Sequence, residues 1–346
     1  MNSNLKYINL DFSSQSDAEI CSYCETLKGS NEEWIRKVAE FTTQWLNSND
    51  SIVAHSSGTT GKAKLFTIPK NKIKNSALLT AQTFAIKEGT KALLCLSTDF
   101  IAGKMMIARS AVNRWNLFIT EPLSNPLKNI DVDLDFAAFV PNQVFEILSS
   151  SEKSKFNRIK KVIIGGGEIN ESLHSLLKEV KTEVFQTFGM TETVSHIAVK
   201  QIWPHHQQYY KALEGIHFGV NDNNCLIIFA PSLDANAIYT NDCVTLIDKF
   251  SFEWRGRFDN IINSGGVKIN PESIEQKIKK HIASDFIVSS IPDDKLINKL
   301  ILIVEGEEEI SLEKVNQELH KFEQIKEIVH VDKLERTSSN KIKRKH

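Results

Sequence analysis

The spacing of apolar residues lays out an alternation of helices and strands. Between residues 16 and 47, Ile20, Leu27, Trp34, Val38, Phe41 and Trp45 recur among polar neighbours. That spacing predicts helix, because every third or fourth side chain falls on one face. A polar break at 47–50 leads into a short strand at 52–55. Helical patterns follow at 72–86, 103–112, 141–149 and 171–180, and apolar strand runs at 92–96, 136–140, 161–164 and 183–187. This alternation predicts an α/β domain on a largely parallel sheet, with its site in the loops at the strand C-termini. After about Thr193 the pattern shifts to short strands separated by turns, at 226–230 and 243–248, which predicts a more antiparallel region.

At Arg257 the chain starts afresh. A Gly-Gly turn follows Ile261, Pro271 opens a helix running to 281, strands are expected at 285–290 and 300–305, and a helix at 312–322. The reading is a large N-terminal domain, 1–256, and a small mobile α+β domain, 257–346, with the boundary near 256–260.

Length agrees, since 346 residues exceed one ordinary core. A net charge of -1 supplies no field to recruit nucleic acid or an anionic membrane. No run approaches the roughly 18 apolar residues that a membrane helix needs, and the first eleven residues lack the apolar core of a secretion signal. Five scattered cysteines, an odd number, fit a reducing cytoplasm. Cys21 and Cys24 form a CxxC pair, but a structural metal site would need a second pair, so they read as helix-borne thiols. Oligomeric state is left open. The basic run Lys341, Lys343, Arg344 and Lys345 reads, by itself, as a solvated tail.

The chemistry concentrates first in Ser56, Ser57, Gly58, Thr59, Thr60, Gly61, Lys62, Ala63 and Lys64. Glycines let backbone N–H groups turn toward an anion, hydroxyls add donors and lysine adds charge, a combination suited to polyphosphate. The P-loop spacing fails, because Gly58 and Gly61 are three apart and Lys62 precedes Ala63. The segment resembles instead the phosphate loop of the adenylate-forming superfamily of acyl-CoA synthetases, luciferases and peptide-synthetase adenylation domains. Ala63 stands where that family usually has Pro.

Five further segments resemble the family in order. Gly165, Gly166, Gly167 and Glu168 match the loop beside the adenine. Thr187, Phe188, Gly189, Met190, Thr191 and Glu192 match its aromatic-Gly-x-Thr-Glu motif, implying Phe188 over the adenine, Thr191 on phosphate and Glu192 on Mg2+. Tyr239 to Asp242 resembles its Tyr-x-Thr-Gly-Asp segment, with Asn241 for Gly and Asp242 as the acceptor of ribose hydroxyls. In the stretch from Arg257 to Glu275, the resemblance implies a ribose contact at Arg257, a hinge at Asp259 and a thiol-channel loop at Gly265 and Gly266. Arg336 to Lys343 resembles the C-terminal Thr-x-x-Gly-Lys motif, with Asn340 for Gly, which turns Lys341 from tail residue to catalytic residue.

The resemblance spans about residues 52–343 and implies ATP, Mg2+, coenzyme A and a small carboxylic acid as reaction partners. With only about 50 residues before the phosphate loop, it also implies a shortened N-terminal subdomain. The short length, the run from Gly189 to Ala198 and the run from Leu96 to Met106 are similar to those of o-succinylbenzoate–CoA ligases of menaquinone biosynthesis. Such a substrate keeps one carboxylate that is not activated and needs a cation or donors. Lys104 and Arg109, five apart on a predicted helix and so on different faces, are the candidates, with Lys104 favoured; Ser195 and His196 would add polar contacts. Alternatives are an adenylating ligase for another aryl or fatty acid, or a catalytically silent nucleotide-binding member of the fold.

Overall fold

The computed structural model describes residues 6–55, 65–337 and 342–344. They form two compact units, one made of residues 1–168, 176–216 and 230–236, the other of 169–175, 217–229 and 237–346.

In the first unit, β1 (Ile8–Asp11) is followed by α1 (Asp17–Leu27) and α2 (Glu33–Leu46). The expected single helical stretch is thus two helices. Ser16 starts the first: its Oγ accepts from Glu19 N–H while the Glu19 carboxylate accepts from Ser16 N–H, a reciprocal cap. In the second, Ile35, Val38, Ala39, Phe41, Thr42 and Trp45 form the buried stripe. β2 (Ser51–His55) and β3 (Leu65–Pro69) pair antiparallel as a two-stranded sheet of their own. The strand before the expected phosphate loop therefore belongs to a hairpin and not to the parallel sheet.

The main scaffold comprises α3 (Lys70–Thr83), β4 (Lys91–Leu94), α4 (Ile101–Asn113), β5 (Asn116–Ile119), β6 (Leu134–Phe139), α5 (Pro141–Leu148), α6 (Lys153–Phe156), β7 (Ile159–Ile164), β8 (Glu183–Gly189), β9 (His196–Trp203) and β10 (Tyr210–Ala212); α7 (Glu171–Leu177), between β7 and β8 in the chain, belongs mostly to the second unit. Strand order in this unit is β1-β5-β4-β6-β7-β8-β9-β10. Strands β5, β4, β6, β7 and β8 are mutually parallel. Antiparallel β1 closes one side and antiparallel β9 and β10 the other. Most of β4, β5, β6 and the Val162–Ile164 end of β7 is apolar and buried, as a sheet covered on both faces requires, whereas β8 alternates, with Val184 and Gln186 buried. Trp115, Phe136, Met106 and Ile107 belong to the core beneath α3 and α4.

The second unit contains an antiparallel meander, β11 (His217–Val220), β12 (Cys225–Phe229), β13 (Ile238–Asp248) and β14 (Ser251–Arg257). A hairpin of β15 (Ile262–Ser264) and β16 (Val267–Ile269) follows. Then α8 (Pro271–Ile278) and α9 (Leu312–Gln317) accompany a three-stranded sheet of β17 (Phe286–Asp293), β18 (Ile297–Glu305) and β19 (Glu327–Val331). Asn270 caps α8 by accepting from Ser273 N–H, with Pro271 at the first helical position, where its missing N–H costs nothing. Ile274, Ile278, Leu302, Val304 and Val315 sit in a separate apolar core. The expected boundary at 256–260 falls inside this unit, between β14 and the β15–β16 hairpin.

Candidate active site

Ser56, Ser57, Gly58, Thr59, Thr60, Gly61 and Lys64, the expected phosphate loop, lie outside the described residues, as does Lys341. The other candidates fall into three groups.

The first is a buried polar cluster between α3, α4 and the start of β9. Arg109, on the buried face of α4, is only 2% exposed. Its Nη2 donates to Ser195 Oγ at 2.5 Å and to His196 Nδ1 at 3.2 Å, and its Nε donates to Thr80 Oγ1 at 3.2 Å. Because His196 Nδ1 accepts, its proton sits on Nε2, which faces Thr80 Oγ1 at 3.4 Å; that hydroxyl in turn donates to the Ser76 carbonyl. His196 is buried, and desolvation together with the Arg109 charge holds its pKa well below 6.5. It stays neutral in the fold while an unfolded chain would take up a proton, so it subtracts stability as pH falls below 6.5. Burial draws the Arg109 guanidinium down to about 9, which leaves it charged at neutral pH. No carboxylate among the described residues pairs with it, and the undescribed residues include no Asp or Glu.

Lys104 lies elsewhere. Its Nζ donates to the Val53 carbonyl at 2.8 Å and stands 5.4 Å from the Phe41 ring centroid. The cation joined to Ser195 and His196 is thus Arg109, not the favoured Lys104. The reason is helical geometry: residues 105–110 of α4 are buried, and Lys104 points off that face to the β2 edge.

The second group is the pair of loops after β7 and β8. The Gly165 N–H donates to the Phe139 carbonyl, Thr187 Oγ1 to the Ile164 carbonyl and Gln186 Nε2 to the Gly167 carbonyl, so the Gly165–Glu168 loop is tied to both neighbouring strands. Phe188 packs against Tyr210, ring centroids 5.7 Å apart. Gly189 has to be glycine: a Cβ there would stand 2.2 Å from the Ser195 carbonyl oxygen and 2.5 Å from His196 Cα. That close approach folds Thr191, Glu192, Ser195 and His196 into one tight turn. Sequence reading missed its pin, fully buried Thr193, whose hydroxyl accepts from Met190 N–H at 3.0 Å and donates to the Ser195 carbonyl at 2.7 Å. Val194 is held at φ 65°, a strained conformation for a β-branched residue. Glu192 is exposed and has no hydrogen bond or ion pair to another described residue. No cluster of three or more His, Cys, Asp or Glu exists among the described residues. A lone open carboxylate suits Mg2+, which keeps several waters and takes its remaining ligands from phosphate.

The third group, within the second unit, is built on β13 and β14. Asp242 and Arg257 face each other across the two strands, with Arg257 Nη1 3.7 Å from Asp242 Oδ2. Trp254, unremarked in the sequence, donates its indole N–H to Asp242 Oδ1 at 2.9 Å and so orients a carboxylate that is only 7% exposed. Asp259, in a 3-10 turn, accepts from Arg257 Nη2 at 2.7 Å and from Asn241 Nδ2 at 2.8 Å. Asn241, a departure from the family's glycine, thus holds the candidate hinge residue. Gly265 and Gly266, at φ 58° and 82°, make the two-residue turn of the β15–β16 hairpin, which requires left-handed backbone at both positions. If Asp242 holds the ribose, Trp254→Phe should raise the KM for ATP about fivefold, the worth of one hydrogen bond, and leave the KM for the acid unchanged. Titrating ATP in a pyrophosphate-release assay checks this.

The family model described as AMP-binding enzyme matches residues 8–219. An acyl-CoA synthetase (AMP-forming)/AMP-acid ligase II-like protein from Dyadobacter fermentans is 33% identical, with a TM-score of 0.67 over 97% of each chain. The 2-succinylbenzoate–CoA ligase of Listeria monocytogenes is 25% identical over 343 residues, covering 89% of this chain and 72% of that protein. The o-succinylbenzoate coenzyme A synthetase of Bacillus subtilis, solved with ATP and magnesium ion, shares the fold at a TM-score of 0.72 and 19% identity, over 96% of this chain and 82% of that one. With its family model matching well over half the chain, this protein belongs to the AMP-binding enzyme family.

Proposed function

We propose that the protein is an AMP-forming acid–thiol ligase that converts o-succinylbenzoate to o-succinylbenzoyl-CoA, a step of menaquinone biosynthesis. The observation that carries the substrate choice is Arg109. A fully buried guanidinium without a carboxylate partner is costly, and a protein keeps one where a ligand supplies the missing charge. The carboxylate of o-succinylbenzoate that is not activated fits that role, with Ser195 and His196 as neutral hydrogen-bonding neighbours. A fatty-acid pocket has no use for such a cation.

In the first half-reaction the other carboxylate attacks the α-phosphate of ATP, giving acyl adenylate and pyrophosphate. Lys341 and Lys64 offset the charge developing on carboxylate and phosphate, and Thr191 donates to phosphate. Glu192 would hold Mg2+, which neutralises phosphate charge when bound. Phe188 and the Gly166–Glu168 loop bracket the adenine, and Asp242 with Arg257 takes the ribose. In the second half-reaction the thiolate of coenzyme A, led past Gly265 and Gly266, displaces AMP. Rotation about Asp259 would exchange Lys341 for that loop, a hinge motion.

The test is pyrophosphate release with MgATP and o-succinylbenzoate, with and without coenzyme A, against benzoate, a medium-chain fatty acid and several amino acids. Turnover selective for o-succinylbenzoate and completed by coenzyme A supports the proposal. Selective turnover of a monocarboxylic acid overturns the substrate assignment, and silence with every acid overturns the enzymatic one.

A further inference from the structure

No motif marks Thr80. Ser76, Thr80 and Phe84 are each four residues apart along α3, so they share one helix face, and all are buried. The Thr80 hydroxyl donates its proton to the Ser76 carbonyl at 3.0 Å. Its oxygen is thereby left a pure acceptor, and two donors reach it: Arg109 Nε at 3.2 Å and the Nε2–H of His196 at 3.4 Å. One turn further along α3, the Phe84 ring meets His196 edge-on, with centroids 6.2 Å apart and planes at 68°. Asn113 holds α4 against α3 at this level, because its Nδ2 donates both to the Ala77 carbonyl at 3.2 Å and to the Arg109 carbonyl at 2.9 Å.

We infer that Thr80 is a positioning residue for recognition of the acid: its oxygen holds the Arg109 guanidinium by Nε and the His196 ring by Nε2–H, so that Arg109 Nη1 is left to meet the carboxylate that is not activated. The cluster is rich in N–H donors and poor in acceptors. Against the N–H groups of Arg109 and His196 stand Ser195 Oγ, His196 Nδ1, Thr80 Oγ1 and the weakly accepting Met106 thioether, 3.6 Å from Nη1. Thr80 supplies the acceptor that serves both residues. With Nε engaged by Thr80 and Nη2 by Ser195 and His196, Nη1 has only that thioether as a partner among the described residues. Pinning Nε also orders a side chain with several rotatable bonds before the ligand arrives, which favours binding. Loss of the Thr80 oxygen would strand two buried donors at once, the direction in which a missing hydrogen bond costs most. This inference rests on the reading of Arg109 as the cation for the acid's second carboxylate.

The test compares Thr80→Val, Thr80→Ser, Arg109→Met and the double variant Thr80→Val with Arg109→Met in the full-length protein, by pyrophosphate release with o-succinylbenzoate and with benzoate. Val keeps the shape of Thr and loses the hydroxyl, whereas Ser keeps the hydroxyl and loses the methyl group. Thr80→Val should raise the KM for o-succinylbenzoate about tenfold, with kcat, the KM for ATP and the turnover of benzoate within about threefold of wild type. Thr80→Ser should stay within about threefold throughout. In the Arg109→Met background, Thr80→Val should add less than about threefold, because its effect runs through the guanidinium. A packing role would harm Thr80→Ser more than Thr80→Val, and that order overturns the inference. So does an unchanged KM in Thr80→Val, an equal loss for both acids, or full additivity in the double variant. A wild-type preference for o-succinylbenzoate in Arg109→Met overturns instead the reading of Arg109 on which the inference stands. If Thr80→Val does not fold, the imidazole nitrogen NMR spectrum of the wild-type protein at neutral pH decides, with the His196 signal assigned by its loss in His196→Gln. A neutral ring protonated at Nε2, its proton slow to exchange, supports the inference; an imidazolium, or a ring protonated at Nδ1, overturns it.

Discussion

Replacing Arg109 with Met should lower kcat/KM for o-succinylbenzoate by roughly 10²- to 10³-fold, about 3–4 kcal/mol, while changing stability little. The size follows from the environment. The guanidinium is 2% exposed, and its ligand carboxylate would be stripped of water and left facing Ser195 and neutral His196 alone. Stability changes little because no acidic partner is orphaned, Met fills much of the space, and removal of a buried unpaired charge offsets the hydrogen bonds lost to Thr80, Ser195 and His196. Removing that charge also lifts one of the two causes that keep His196 neutral, so the His196 pKa should rise toward 6.5. Steady-state kinetics with o-succinylbenzoate and benzoate, together with a thermal melt, check the prediction. Benzoate lacks the second carboxylate, so its weak turnover should hardly change. An equal loss for both acids would mean that Arg109 only shapes the pocket.

Lys341→Ala should reduce acyl-adenylate formation by about 10²- to 10³-fold, the usual worth of one group aimed at charge developing in a transition state. Thioester formation from preformed adenylate should be nearly unchanged, because that step requires coenzyme A to reach the acyl carbon and places no new charge near the lysine. Pyrophosphate exchange reads the first step, and single-turnover transfer to coenzyme A reads the second. Equal losses in both would remove the alternation about Asp259 from the mechanism.

The parallel half of the first unit was legible from apolar runs and helical spacing, because most of β4, β6 and the end of β7 is apolar and buried and that pattern is local. The antiparallel strands were less so. β9, His196–Trp203, follows no regular apolar alternation, and β14, Ser251–Arg257, reads Ser-Phe-Glu-Trp-Arg-Gly-Arg, with too few apolar residues to stand out before pairing across the meander makes it a strand. Asp242 and Arg257 could be named as candidates, but that they face one another is a matter of register between β13 and β14. The choice between Lys104 and Arg109 was beyond the sequence for the same reason. Five residues on one helix put them on different faces, and the face that matters is set by Thr80 on α3 and His196 on β9. Trp254 carries no motif at all; only the fold shows what its indole N–H holds.

The tight turn closed by Gly189 and pinned by Thr193 carries Thr191 and Glu192 on one limb and Ser195 and His196 on the other. On the proposed reading, recognition of the acid and handling of the phosphate therefore share one stiff piece of backbone. An acid that fits badly against Ser195 displaces Glu192 as well, so poor substrates should show a lowered kcat and not only a raised KM. On that reading selectivity is enforced during the reaction as well as at the door, and a substitution within this turn would change acid preference and phosphate handling together.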